Sequence, residues 1–273
     1  RLSFETAYEL DNNNIEALIN LGTTHVVLKK IAEAIIIYEK GLKKLPKHAA
    51  TQSDVIKFLL SFEYLKMGRL REGWQFYDSG FHPNIPIGNA RTPPRSFKKP
   101  RWKGQSISGK TLLVWREQGL GDEMMFLSVI PDLIKKHNSI ILEVDKRLVE
   151  TLQRSFPEIV VRHQRYGQPP YFEAIDHDYD YHVPLGSLMR YLRPTVESFK
   201  SSGPFIKVDA TKKLKFAERL APYRDKTLIG ICWRSGNIDA LRALTYVGIS
   251  RWGEIFSLEN VAWVNLQYGE CEQ

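Results

Sequence analysis

The run Trp115-Arg116-Glu117-Gln118-Gly119-Leu120-Gly121-Asp122-Glu123 gathers acids, an amide and two glycines directly behind Thr111-Leu112-Leu113-Val114. A continuous apolar run of this length reads as a strand buried on both faces. A turn follows, then a helix expected over about residues 122–137. Ligands of open α/β sheets bind at the carboxyl ends of strands, so this turn lies where a site belongs. Gly119 and Gly121 permit backbone angles that other residues resist and allow a ligand to come close. Asp122 is placed to cap the helix N-terminus. A purely structural reading makes Asp122 a cap and the glycines a turn. Glu117, Gln118 and Asp122 together are more polar than such a turn requires, which favours an acceptor-site loop.

A second segment has the same position and the opposite charge. Leu228-Ile229-Gly230-Ile231-Cys232-Trp233 is again apolar, and Arg234-Ser235-Gly236-Asn237 follows it, with Arg242 beyond. Ser235 and Gly236 offer hydroxyl and backbone donors. Arg234 and Arg242 carry planar, permanently charged forks that suit phosphate oxygens. The segment reads as a diphosphate cradle, against the alternative of a solvated loop. One acidic and one basic strand exit suggest a division of labour. The acidic side would deprotonate an acceptor hydroxyl, and the basic side would stabilise a leaving diphosphate.

Asp176-His177-Asp178-Tyr179-Asp180-Tyr181-His182 resembles a metal site at first sight. Strand alternation would set the aspartates on one face and His177 and His182 on different faces, with no third fixed ligand, so no metal is expected. No Ser-His-Asp order, Walker A loop or dinucleotide glycine fingerprint is present.

The elements that must carry these loops fall into four parts. Residues 1–81 read as helical repeats. Leu18, Leu21-Gly22, His25, Ala34, Tyr38, Gly41 and Pro46 follow the tetratricopeptide (TPR) pattern of large, small and aromatic positions. Small Gly22 and Ala34 would let two antiparallel helices approach, Leu21 and Tyr38 would fill the space between them, and Pro46 would stop the second helix. Phe4, Ala7 and Leu10 fit the end of an earlier unit; Leu60, Tyr64, Gly73, Tyr77 and Gly80 fit a later one, displaced by an insertion near residues 50–54. An unrelated helical hairpin bundle is the alternative. Terminal repeats need caps, so further repeats are expected upstream. Residues 82–110, rich in Pro, read as a linker in which Trp102 docks onto the next domain. Residues 111–204 alternate strand and helix, as a parallel doubly wound sheet does, and residues 205–273 begin a second such lobe with one βαβ unit.

Composition agrees. The chain has 273 residues, 43% hydrophobic and 26% charged, which fits a globular protein of two or more domains. No apolar run approaches the roughly 20 residues needed to span a bilayer, and no signal peptide is visible. Two cysteines, Cys232 and Cys271, exclude a disulfide framework and point to the reducing cytoplasm. The formal charge of +8 is spread out, without a nucleic-acid-binding signature.

The segment Leu113 to Asp122 resembles a signature of bacterial TPR-containing proteins whose C-terminal module is similar to the heptosyltransferase (ADP-heptose) family of GT-B glycosyltransferases. Pro100-Arg101-Trp102-Lys103-Gly104, His182-Val183-Pro184-Leu185-Gly186-Ser187-Leu188, Gly230 to Gly236, Asn265-Leu266-Gln267-Tyr268-Gly269 and Glu72-Gly73-Trp74-Gln75-Phe76-Tyr77 carry the same resemblance. It implies an α plus α/β protein, with TPR hairpins followed by a GT-B acceptor lobe and an incomplete donor lobe. It implies Asp122 as catalytic base, Arg234 or Arg242 at the donor phosphates, and metal-independent, inverting transfer. The donor would be a nucleotide-diphosphate sugar and no other cofactor is expected. The acceptor would be a protein or glycan hydroxyl held by the TPR groove, without nucleic acid or membrane span. The alternative is a TPR interaction scaffold with a non-catalytic platform.

Overall fold

The computed structural model describes residues 2–11, 14–46, 49–81, 91, 95–165, 178–199, 203–234 and 246–269. Contacts divide the chain after Lys207 into two units.

The first unit opens with five helices: α1 (Leu2–Leu10), α2 (Ile15–Val27), α3 (Ile31–Lys44), α4 (Ala50–Lys66) and α5 (Leu70–Tyr77), the last continued by a 3-10 turn at Asp78–Phe81. Each packs on the next. α2 presents Ala17, Leu18, Leu21 and Gly22, and α3 answers with Ala34, Ile35, Tyr38 and Gly41. A Cβ on Gly22 would press into the Tyr38 ring, so only glycine lets the two helices close to this distance. The Tyr38 hydroxyl meets Thr23 Oγ1 at 3.0 Å. α3 ends at Lys44, just before Pro46, whose ring cannot continue a helix.

The α2–α3 and α4–α5 turns use one device. Lys29 and Gly68 are left-handed, with φ of 59° and 74°. Lys29 N–H donates to Val26 and Lys30 N–H to His25; Gly68 N–H donates to Leu65 and Arg69 N–H to Tyr64. Both turns are Schellman closures, which satisfy the last carbonyls of the outgoing helix. The insertion expected near residues 50–54 lies in the first turn of α4, the longest helix at 17 residues.

The sheet follows. β1 (Leu112–Trp115), β2 (Ile140–Val144), β3 (Val160–His163) and β4 (Tyr181–Pro184) are all parallel and ordered β3-β2-β1-β4. β1 and β2 are buried throughout; β1 is apolar along its length, and in β2 the one charged residue, Glu143, is buried against Arg95 and Arg162. Alternation sends Leu112 and Val114 to one face, into a core that also takes Phe58, Trp74 and Tyr77 from the helical hairpins. Leu113 and Trp115 go to the other face, with Ile141, Tyr179, Phe81 and Phe97. Helices and sheet therefore share one core. Trp102 is buried in it, and its backbone N–H donates to His182 of β4.

The helix expected over about 122–137 is broken into α6 (Leu120–Phe126), a 3-10 turn at Leu127–Val129 and α7 (Ile130–Ile134). Pro131 accounts for the break, because it has no N–H to bond back to Leu127. α8 (Val149–Ser155) joins β2 to β3, and α9 (Leu188–Leu192) follows β4.

The second unit holds α10 (Ala210–Leu220), β5 (Thr227–Ile231), α11 (Gly253–Phe256) and β6 (Val261–Asn265). β5 and β6 pair in parallel as a separate two-stranded sheet. Neither strand is buried, and Leu228 and Leu266 are exposed. No helix among the described residues is long and apolar enough to cross a membrane.

Candidate functional site

The chain runs β1, β2, β3 to one side and then returns to place β4 on the other side of β1. The strand order reverses between β1 and β4, where Trp115 pairs with Pro184. In parallel sheets the crevice outside the strand ends at such a reversal is where ligands lie. Residues 116–123 follow β1 directly at this reversal.

Their roles divide sharply. Glu117 is buried and grips the Arg91 guanidinium with both carboxylate oxygens, while Oε1 also accepts from Gly186 N–H at 2.9 Å. Burial works against the charged guanidinium, but Glu117, Tyr77 and Asp78 outweigh it and hold its pKa above the ordinary arginine value. An arginine does not deprotonate in a protein, so the fixed charge and the Gly186 N–H oppose the burial that raises the Glu117 pKa. Glu117 is thus a structural anchor. Gln118 is held left-handed, with φ of 59°, a strained conformation for a side chain without glycine's freedom. Its amide bonds the Tyr77 hydroxyl, whose pKa burial pushes up to about 12.

Asp122 differs from its expected position. Gly119 is the N-cap, and Asp122 stands three residues inside α6, its Oδ2 accepting from Gly119 N–H at 3.2 Å. A carboxylate at this position satisfies the N-cap N–H by reaching back to it, which is one half of a capping box. Asp122 is exposed, and no partner of Oδ1 occurs among the described residues. Of the loop's acids it is the one open to a reactant. Glu123 is buried, and burial raises its pKa against the opposing pull of Asp145 N–H at 2.7 Å and Arg116 at 2.8 Å.

A network that sequence reasoning missed surrounds the Arg91–Glu117 pair. Asp78, at the end of the helical array, accepts from Ser187 Oγ at 2.6 Å and Arg101 at 2.8 Å, and pairs with Arg91 at 3.1 Å and Arg190 at 3.4 Å. Arg101 also donates to Ser187 Oγ at 2.9 Å. These residues span three separate segments, so no local spacing reveals the cluster. The available signals were Arg101 within Pro100-Arg101-Trp102-Lys103-Gly104 and Ser187 after β4.

In the second unit, Arg234 follows β5. Gln267 braces this exit. Its Oε1 accepts from the N–H groups of Trp233 and Arg234 at 3.2 and 3.1 Å, and its Nε2 donates to Arg234 O at 3.1 Å. Ser235, Gly236 and Arg242 lie outside the described residues.

Asp176 and His177 also lie outside them. Asp178 bonds Arg162 at 2.7 Å, and Asp180 accepts from Thr111 N–H at 2.9 Å. His182 accepts from Trp115 Nε1 at 3.1 Å and stacks on Phe97. Burial, then Arg101 and Arg95, lower its pKa to about 3, so it is neutral. Among the described residues no three His, Cys, Asp or Glu side chains are grouped to hold a metal ion.

No family model matches the chain, and no solved structure matches it. The chain is 31% identical over 230 residues to Protein FlbA of Caulobacter vibrioides, an alignment covering 80% of this chain and 38% of FlbA. The chain thus spans less than half the length of that relative.

Proposed function

We propose that the chain belongs to a transferase that moves a sugar from a nucleotide-diphosphate donor to a hydroxyl acceptor. The observation that carries this reading is the exposed Asp122 carboxylate in the first turn of α6, which follows β1 at the reversal of strand order. Asp122 takes the proton of the acceptor hydroxyl as its oxygen bonds to the sugar's anomeric carbon. The bond from that carbon to the diphosphate breaks, and its electron pair leaves with the nucleoside diphosphate. Arg234, with Ser235, Gly236 and Arg242, receives the growing negative charge, so the chemistry needs no metal. In GT-B terms the first unit is the acceptor side and the second the donor side. The helical hairpins are TPR-type repeats that present a protein or glycan acceptor; their duplicated Schellman turns at Lys29 and Gly68 support a repeat. The exposed free thiol of Cys232 fits a reducing cytoplasm, where nucleotide sugars are at hand.

A second reading has its own support. Glu117 is consumed by Arg91, and Asp122 is engaged with Gly119 N–H. A scaffold, with the α/β part as an inert platform for the repeats, would look like this too. Titration calorimetry with nucleoside diphosphates separates the two: saturable heat supports the transferase, and silence supports the scaffold. Transfer of radiolabelled sugar should vanish in Asp122→Asn while the melting temperature holds. Unchanged transfer in that variant removes Asp122 from the mechanism.

A further inference from the structure

Asp78, Arg101, Lys103, Arg190 and Tyr191 line an open pocket of about 320 Å³. None of these residues serves the transfer reaction proposed above. Their charges do not balance. Arg91, Arg101, Lys103 and Arg190 bring four positive charges, and Asp78 and Glu117 bring two negative ones. Arg91 is spent on Glu117, and a single carboxylate, Asp78, is then shared by Arg91, Arg101 and Arg190. Among the described residues no other carboxylate lies within ion-pair distance of Arg101, Lys103 or Arg190. Two positive charges are left in excess around the pocket.

The pocket is also built rather than incidental. Asp78 is only 18% exposed, and it fixes Arg101 at 2.8 Å and Arg190 at 3.4 Å, so the forks are held before any ligand arrives. Beyond Asp78 and, for Arg101, Ser187 Oγ, no further hydrogen-bond acceptor of either guanidinium group occurs among the described residues. Tyr191 forms a rigid wall, set edge-on against the buried Trp102 with ring centres 5.1 Å apart. Gly104, at φ of 90°, passes beneath it, where a Cβ would come within 2.7 Å of the Tyr191 ring. Planar arginine forks match the oxygens of a phosphoryl group, and an excess of two charges matches its dianion. The volume lies at the small-molecule end of ligand pockets, which run from about 300 Å³ upward.

We propose that this pocket binds a phosphoryl dianion, either the phosphate monoester of a small molecule or free phosphate. Arg101 and Arg190 hold the oxygens, Lys103 adds charge at the rim, and Tyr191 flanks whatever the phosphate carries. The site stands or falls apart from the transferase reading, because it shares no residue with Asp122 or the Arg234 loop.

Calorimetry on the protein in phosphate-free buffer tests it, with inorganic phosphate, glucose 6-phosphate and glucose as probes. The expected result is saturable binding of at least one phosphorylated probe and none of glucose. Arg190→Ala and Lys103→Ala, both at exposed positions, should each weaken binding about tenfold without lowering the melting temperature. Binding of glucose 6-phosphate should also weaken below about pH 6, where a phosphate monoester becomes a monoanion. Tighter binding of glucose 6-phosphate than of phosphate assigns an organic monoester; equal binding assigns the free ion. Absence of saturable heat with both phosphorylated probes overturns the proposal, as does binding that neither variant alters.

Discussion

Arg91 and Glu117, both fully buried, form a two-pronged ion pair that ties the segment beyond the helical array to the exit of β1. Gly186 closes the pair from the β4 side, where a Cβ would fall 2.8 Å from Glu117 Oε1. One ion pair thus holds together the three segments that shape the candidate site. Removing Arg91 strands Glu117 in a dry interior with the Gly186 N–H, whereas removing Glu117 leaves Arg91 with Asp78.

Arg91→Ala should therefore cost about 3–5 kcal/mol, as loss of one partner of a buried pair does. Urea unfolding followed by far-ultraviolet circular dichroism measures it. Arg91→Met combined with Glu117→Met should recover most of that loss, since it removes both charges and keeps the volume. A loss under about 1 kcal/mol for Arg91→Ala would mean that the pair does not hold the segments.

His182 gives the first unit a specific acid sensitivity. Its pKa falls from 6.5 to about 3 on folding. The unfolded chain then binds the proton that the folded chain refuses. The stability this contributes is complete above about pH 6.5 and drains away as the pH falls toward 3, by an amount on the order of a few kcal/mol. His182→Gln keeps an acceptor for Trp115 Nε1 and does not titrate. It should flatten the dependence of the urea midpoint on pH between 6.5 and 4. An unchanged slope would remove His182 as the cause. The aspartates with lowered pKa values, Asp145 and Asp178, act in the same direction but in a lower window, below the ordinary 3.8.

Gly22 should not tolerate a side chain. A Cβ there meets Tyr38 Cζ at 2.7 Å, and Tyr38 is buried on all sides. Gly22→Ala should cost about 1–3 kcal/mol by overpacking. Adding Tyr38→Leu should recover part of it, a coupling that a double-mutant cycle reads directly.

Gln267 should control the order of the β5 exit. Gln267→Leu removes the acceptor for the Trp233 and Arg234 amides. Hydrogen exchange at those two amides should speed up by about tenfold or more, while the amides of β5 keep their protection. Equal acceleration along β5 would instead indicate loss of the whole second unit.

Much of the fold was legible in the residues. Gly22, Ala34 and Tyr38 specified a close helix pair, because small residues opposite an aromatic ring admit one packing arrangement. The unbroken apolar run at Leu112 specified a buried strand of a parallel sheet. Where local chemistry competed, the reading slipped: Asp122 was expected at the cap and stands three residues inside the helix, because Gly119 already provides the extended backbone angles that a cap requires. Pro131 interrupts a helix whose apolar period alone predicts continuity.

The sequence by itself determined the elements and the places where strand exits would concentrate charge, since both follow from neighbours along the chain. Only the tertiary structure decided what those charges do. Glu117 and Asp122 lie five residues apart and looked alike as candidates. Arg91, brought from a distant segment into a dry core, neutralises the first, while the second stays at the surface. Desolvation and pairing depend on what is close in space, and that distance is not written in the spacing of residues along the chain.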